Sequence, residues 1–358
     1  VYKRQSTGVV IVDPSDETLA KYEPIAKEFS TRSKKMGQKK EAAQTTDGTK
    51  VTLLGNIESI DDLSLLIPYG AQGIGLFRSE FLFFGKELRS FSEEEQYHLY
   101  KLLMEETKGL EVTFRVFDVG GDKGKADFSQ AEPNPALGCR GIRFLLKNRE
   151  IFSSQLRALL RVSSEGRLNI LLPLVSDVSE VIEAKQVIQE VAINLTAEGS
   201  QIAEEIQVGA MIEVPSAVIT ADLILKECDF ISIGTNDLMQ YTLAVDRSNK
   251  EDYSFYKAIH PSIIRMIDMI VKKAKEYGKS VSLCGEMAAD PLLVPLLLGL
   301  GIRNFSCSPR YIPPVREMIT RVSLDEACEV KDKVLSLENV DQIENFLKET
   351  YGPAIAGF

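Results

Sequence analysis

No stretch of the 358-residue chain stays apolar for long enough to cross a bilayer as a helix. The opening Val1-Tyr2-Lys3-Arg4 leads into only a short apolar run, Gly8 to Val12, too little for a secretory signal. An overall basic balance is also lacking. The formal net charge is −10, and although Ser30–Lys50 is polar and lysine-rich, no basic run stands out as a general nucleic-acid surface. A chain this acidic that binds an anion must gather its arginines locally. The five cysteines (Cys139, Cys228, Cys284, Cys307 and Cys328) are widely spaced, odd in number and form no Cys-x-x-Cys. That argues against a disulfide framework or a zinc site and fits a reducing cytoplasm. Histidine is scarcer still, with only His98 and His260. His98 sits on a charged helix and His260 precedes a proline at a helix start, so both read as structural.

What is present is alternation. Asp13-Pro14 reads as a helix start, with Asp13 as N-cap and Pro14 in the first turn. Leu19, Tyr22, Ile25 and Phe29 then follow at helical spacing, predicting a connecting helix over 14–44. From Val51 onward, short apolar runs alternate with amphipathic segments such as Ser179–Leu195 and Pro261–Tyr277. The runs predicted as strands are Val51–Ile57, Gly73–Arg78, Val112–Val119, Leu168–Val175, Gln207–Val214, Phe230–Asp237, Val281–Met287 and Asn304–Ser308. Repeated βα units over about 250 residues match an α/β fold of the (β/α)8 barrel type preceded by a linker helix. An open doubly wound sheet is the other arrangement such alternation permits.

In a (β/α)8 barrel the active-site groups sit at the C-terminal strand ends. Arg78 ends one predicted strand, and Arg115 lies inside another, with Lys123 and Arg140 after it. An arginine within an apolar strand is costly unless it meets an anion, either a ligand or a barrel carboxylate. Its planar fork suits phosphate and carboxylate oxygens. Glu213 and Asp237 close the next strands but one. Two such carboxylates can share a divalent cation, or they can cap helices and pair with the arginines. Arg247 falls in a post-strand loop, where function is often found, but taken alone it reads first as a surface arginine paired to Asp246. Cys284 differs from the other cysteines in its place at a strand end before a glycine. A thiol of ordinary pKa, about 8.5, can be a protonated donor near neutral pH.

Taken in order, Gly75–Phe84, Phe117–Lys123, Asn134–Arg143, Ile233–Asn249 and Cys284–Asp290 resemble the enzyme I family of the bacterial sugar phosphotransferase system, the phosphoenolpyruvate–protein phosphotransferases. The resemblance extends from about Gly8 to the C-terminus. It implies that 1–12 end a preceding phosphohistidine domain, that 13–48 form the linker helix, and that 49–358 form a phosphoenolpyruvate-binding barrel. It implies binding of phosphoenolpyruvate by Arg78, Arg115, Arg247 and Asn236, with Lys123 and Arg140 as further basic residues around the phosphate. Glu213 and Asp237 would be ligands of Mg2+, for which Mn2+ can substitute, and Cys284 the proton donor. The implied partners are a histidine phosphocarrier protein, reached through the phosphohistidine domain, and a second copy of the chain, a cytoplasmic homodimer with no nucleic acid and no membrane insertion. The apolar run Pro291–Leu300 exceeds one helix face and suits either that dimer or a buried barrel helix. Pyruvate phosphate dikinase has a similar barrel but typically reads Thr-Glu-His where this chain has Ser79-Glu80-Phe81. Ser79 and Cys139 depart from the family's usual threonine and aromatic. Rival readings are a module that senses phosphoenolpyruvate or only dimerises, and a Mg2+-dependent carbon–carbon lyase.

Overall fold

The computed structural model describes residues 2–4, 9–11, 13–24, 27, 43–83, 90–120, 134–246 and 257–355. Its centre is a closed barrel of eight parallel strands. These are β1 (Lys50–Ile57), β2 (Gly73–Arg78), β3 (Glu111–Arg115), β4 (Leu168–Leu172), β5 (Gln207–Ile212), β6 (Phe230–Gly234), β7 (Ser280–Cys284) and β8 (Asn304–Cys307). Each pairs with its successor, and β8 returns to β1 through Phe305 opposite Leu53. Strands covered on both faces read as unbroken apolar runs, and β4 and β6 are buried along their whole length. A helical layer surrounds them and includes Glu93–Glu106, Arg149–Val162, Val178–Ala197 and Pro261–Glu276. No helix among the described residues is long and apolar enough to cross a membrane.

Local sequence explains the helix ends. Asp177 accepts from the Ser179 amide at 2.8 Å and forms a capping box with Glu180, starting Val178–Ala197. His260 caps Pro261–Glu276 by accepting from the Ser262 amide at 3.2 Å. Inside the barrel, Leu76, Leu171, Met211, Phe230 and Cys284 form a small cluster separate from the main core.

The strand positions follow the predicted runs, but their C-terminal ends are shorter. Val112–Val119 leaves the ladder after Arg115, and Phe230–Asp237 does so after Gly234, where Thr235 begins a helix. The apolar texture continues past the pairing because Val116 and Phe117 are buried without being in the strand. The linker helix does not extend to residue 44: Ala43–Gln44 pairs antiparallel with the start of β1. Nor is Asp13 its cap. Asp13 has a left-handed backbone, and the Ser15 hydroxyl accepts from the Thr18 amide at 3.3 Å. Tyr2–Arg4 and Val9–Ile11 form an antiparallel pair.

Pro291–Leu300 is core rather than exposed surface. Leu293 to Leu298 are buried, and the helix Val294–Gly299 packs on Leu324–Ser336. The run therefore gives no support to a dimer interface. Gly299 is the close-approach point of that packing, since a Cβ there would lie 2.0 Å from the Ala327 carbonyl oxygen. Gly299→Ala should lower stability by about 1–3 kcal/mol, the usual cost of overpacking. Urea denaturation checks this, and an unchanged midpoint would contradict the close packing.

Candidate active site

Arg78 and Arg115 are the last residues of β2 and β3 and stand opposite each other in the register. Glu80, just past β2, bridges them. Its Oε1 forms an ion pair with Arg115 Nη2 and lies 3.6 Å from Arg78 Nε. Arg78 also donates to Glu58 through Nη1, and its guanidinium carbon lies 4.5 Å from the centre of the Phe81 ring. Arg115 is buried, and its Nη1 lies 3.2 Å from Asp118 Oδ2. Among the described residues, neither Arg115 Nε nor Glu80 Oε2 has a hydrogen-bond partner, though both are buried. Arg115 thus meets barrel carboxylates while one of its donors is left over.

Asp118 also carries Arg140. Arg140 Nε donates to Asp118 Oδ1 at 2.8 Å and Nη2 to Oδ2 at 3.0 Å, a bidentate fork. Arg140 Nη1 then reaches Asp237 Oδ1 at 3.1 Å and the Tyr241 hydroxyl at 3.3 Å. Arg140 is fully buried and does not line the cavity. It therefore sits behind the site carboxylates, on Asp118 and Asp237.

Glu213 follows β5, and Asp237 lies in the first turn of Thr235–Leu243, directly after β6. Gly234 allows their approach, since a Cβ there would lie 2.6 Å from Glu213 Oε2. Glu213 Oε1 accepts from the Leu174 amide at 2.7 Å. Burial, with the neighbouring Asp237 and Asp118, pushes the Glu213 carboxyl up to about 7 against the pull of Arg115 and Arg140. Among the described residues, Arg78, Arg115 and Arg140 face the carboxylates of Glu58, Glu80, Asp118, Glu213 and Asp237, an excess of acidic over basic side chains. A divalent cation between Glu213 and Asp237 would offset it. Among the described residues no cluster of three or more His, Cys, Asp or Glu could hold a metal. Two carboxylates completed by ligand and water oxygens suit Mg2+.

Cys284 ends β7 and is buried. Its Sγ donates to the Ile233 carbonyl at 3.3 Å and accepts from the Ser232 hydroxyl at 3.4 Å. Burial pushes the thiol up to about 11 despite the Ser232 hydrogen bond, so it is protonated at neutral pH. Gly285 follows at φ 107°, where a Cβ would lie 2.4 Å from Thr235 Oγ1. The Thr235 hydroxyl donates to the Cys284 carbonyl at 3.2 Å, and the Glu286 amide donates to Asn236 Oδ1 at 3.2 Å. These bonds tie the end of β7 to the turn after β6.

One cavity of about 580 Å3 gathers Arg78, Arg115, Glu213, Asn236, Asp237 and Cys284 at the C-terminal strand ends, with Glu58 and Glu286 also in its wall. Lys123 and Arg247 lie outside the described residues. Glu58, Glu80 and Asp118 were not picked out from sequence. Asp118 and Glu80 lie within matching motifs, and only their partners distinguish them from ordinary loop acids.

A closed (β/α)8 barrel thus gathers two arginines, an acid pair and a buried thiol around one cavity at its C-terminal strand ends. Residues 32–324 match the family model described as PEP-utilising enzyme, PEP-binding domain. The chain belongs to that family. It is 40% identical over 347 residues to the phosphoenolpyruvate-protein phosphotransferase of Bacillus subtilis (strain 168), covering 96% of this chain and 60% of that protein. The protein of the same name from Geobacillus stearothermophilus is 41% identical over 351 residues, covering 97% and 60%. The one from Staphylococcus carnosus (strain TM300) is 40% identical over 348 residues, covering 96% and 61%. The chain thus spans about 60% of the length of the relatives it matches.

Removing Asp118 strands two buried guanidinium groups. Asp118→Ala should cost about 3–5 kcal/mol, the usual effect of breaking a buried pair from one side. Equilibrium unfolding measures it, and a cost near zero would contradict the geometry of this cluster.

Proposed function

We propose that the barrel is the phosphoenolpyruvate-binding part of a phosphoenolpyruvate–protein phosphotransferase. It would pass the phosphoryl group to a histidine on a separate domain, release pyruvate, and so feed a histidine phosphocarrier protein. The observation that carries this reading is the single cavity shared by the Arg78/Arg115 pair, the Glu213/Asp237 pair and the protonated Cys284. The names of the relatives agree with it. Neither histidine of the chain lines the cavity. His98 pairs with Glu94 at 3.2 Å on an exposed helix face, and His260 is a helix cap. The acceptor in this reading therefore comes from elsewhere.

Phosphoryl transfer relies on positioning and charge stabilisation. Arg78 and Arg115 would take the phosphate and carboxylate oxygens of the substrate, displacing part of their pairing to Glu58 and Glu80. Asn236, held by the Glu286 amide, would orient the substrate from the opposite wall. Lys123 and Arg247 would add cationic groups, while Arg140 would hold Asp118 and Asp237 in place. Glu213 and Asp237 would hold Mg2+ or Mn2+, which when bound supplies positive charge to the phosphoryl and enolate oxygens.

As the phosphorus–oxygen bond to the substrate breaks, its electrons pass to the enolate of pyruvate. Cys284 would give its thiol proton to C3 of that enolate, forming the methyl group. The Ser232 hydroxyl would steady the thiolate left behind until it is reprotonated by water.

Calorimetry should show phosphoenolpyruvate binding with Mg2+ or Mn2+ and none after chelation. Equal affinity in both conditions would refute the metal assignment. Arg115→Ala should weaken binding about tenfold or more, since a charge-assisted hydrogen bond contributes roughly 1.5–3 kcal/mol.

Cys284→Ala should retain that affinity. It should slow deuterium uptake into the methyl group of pyruvate by roughly 10²–10⁴-fold, the usual contribution of a positioned acid or base. Proton NMR follows the uptake. If the variant matched the parent, the proton would come from another group, and Glu286 would be tested next.

A further inference from the structure

Behind the arginine pair lies one buried amide that no step above uses. Gln155 extends from the outer helix Arg149–Val162 and is fully buried. Its Oε1 accepts from the Phe117 amide at 3.0 Å. Its Nε2 donates to the Ser79 hydroxyl at 3.0 Å and lies 3.2 Å from the Tyr100 hydroxyl. Ser79 in turn donates to the Arg115 carbonyl at 2.6 Å. Ser79 and Tyr100 are themselves fully buried.

The placement of these bonds matters. Ser79 stands between Arg78 and Glu80, and Phe117 stands between Arg115 and Asp118. The end of β2 and the end of β3 are therefore joined through one side chain, just where the ladder stops at Arg115. Past that point the Val116 amide still donates to the Leu171 carbonyl at 3.0 Å, but the next amide, Phe117, turns away to a side chain, and a buried backbone group needs such a partner. Gln155 supplies it, and the Ser79 hydroxyl completes the chain of bonds.

We propose that Gln155 is a positioning residue for anion binding, acting through Ser79 and the backbone on both sides of Arg115. This rests on the phosphotransferase reading, since the anion is phosphoenolpyruvate. Gln155 does not touch substrate. Its side chain sets the angle at which the Arg78 and Arg115 forks face the cavity. The Cys284 thiol is held by Ser232 and Ile233 instead, with no hydrogen bond to Gln155 or Ser79.

The test uses the full chain with Mg2+. Gln155→Leu keeps the volume and removes both polar ends. It should raise the dissociation constant for phosphoenolpyruvate about tenfold, as expected for misplacing one charge-assisted contact. Deuterium uptake at saturating pyruvate should change less than about twofold, because Cys284 supplies that step. Val162→Ala, a buried change on the same helix, should lower the melting temperature without altering affinity. Ser79→Ala removes only the last link, so it serves if Gln155→Leu does not fold. It should weaken binding similarly, and the double variant should be no worse than either single one.

Parent-like affinity in a folded Gln155→Leu or Ser79→Ala protein overturns the proposal. So does an equal loss in Val162→Ala, or full additivity of the two changes. Failure of the unaltered chain to bind phosphoenolpyruvate with Mg2+ would defeat the functional reading itself, and the positioning role with it.

Discussion

Asp118 carries two buried arginines at once, and the site depends on that pairing. Burying a guanidinium is costly unless its hydrogen bonds are met. Arg140 meets them bidentately on Asp118 and passes its remaining reach to Asp237. Arg115 uses the other side of Asp118 and turns to Glu80. Loss of this carboxylate would release both arginines and, through Arg140, the acid at the start of the helix after β6. Burial, and after it the neighbouring Asp237 and Asp118, hold the Glu213 carboxyl well above its usual range.

The barrel divides this chemistry among separate strands. The cationic fork comes from β2 and β3, the acid pair from the ends of β5 and β6, and the thiol from β7. Each group is held by its own neighbours. Gly234 lets Glu213 come close, and the Thr235 and Asn236 hydrogen bonds fix the turn that follows Cys284. Such rigid support holds groups in place better than mobile loops would. The same distribution keeps Cys284 in an apolar interior, beside Leu76 and Met211, where burial keeps its proton on.

The barrel was legible because its strands are covered on both sides and read as short apolar runs. Arg78, Arg115, Glu213, Asp237 and Cys284 stood out because they lie in or at the ends of those runs, Asn236 came only with the family resemblance, and the six meet in one cavity. What failed has physical causes. Apolarity does not report where strand pairing stops, so Val112–Val119 and Phe230–Asp237 were read too long. Asp13 preceded a proline as a cap would, but its left-handed backbone left the capping to Ser15. The helix expected to reach residue 44 gives way to a strand at Ala43–Gln44, where polar composition masked the pairing. Pro291–Leu300 was apolar all round because both of its faces are covered within the chain. Gln155 could not have been singled out, since nothing in a helical sequence reveals a hydrogen bond to a strand end far away.

In the proposed role, this barrel activates phosphoenolpyruvate for a histidine carried by a separate domain. The most direct measurement supplies phosphorus-labelled phosphoenolpyruvate and Mg2+ to the chain, alone and with a separately expressed phosphohistidine domain. The account predicts an unlabelled chain in both cases, with label on the added domain and pyruvate released in step. Stable label on His98 or His260, or no transfer to the added domain, would contradict it.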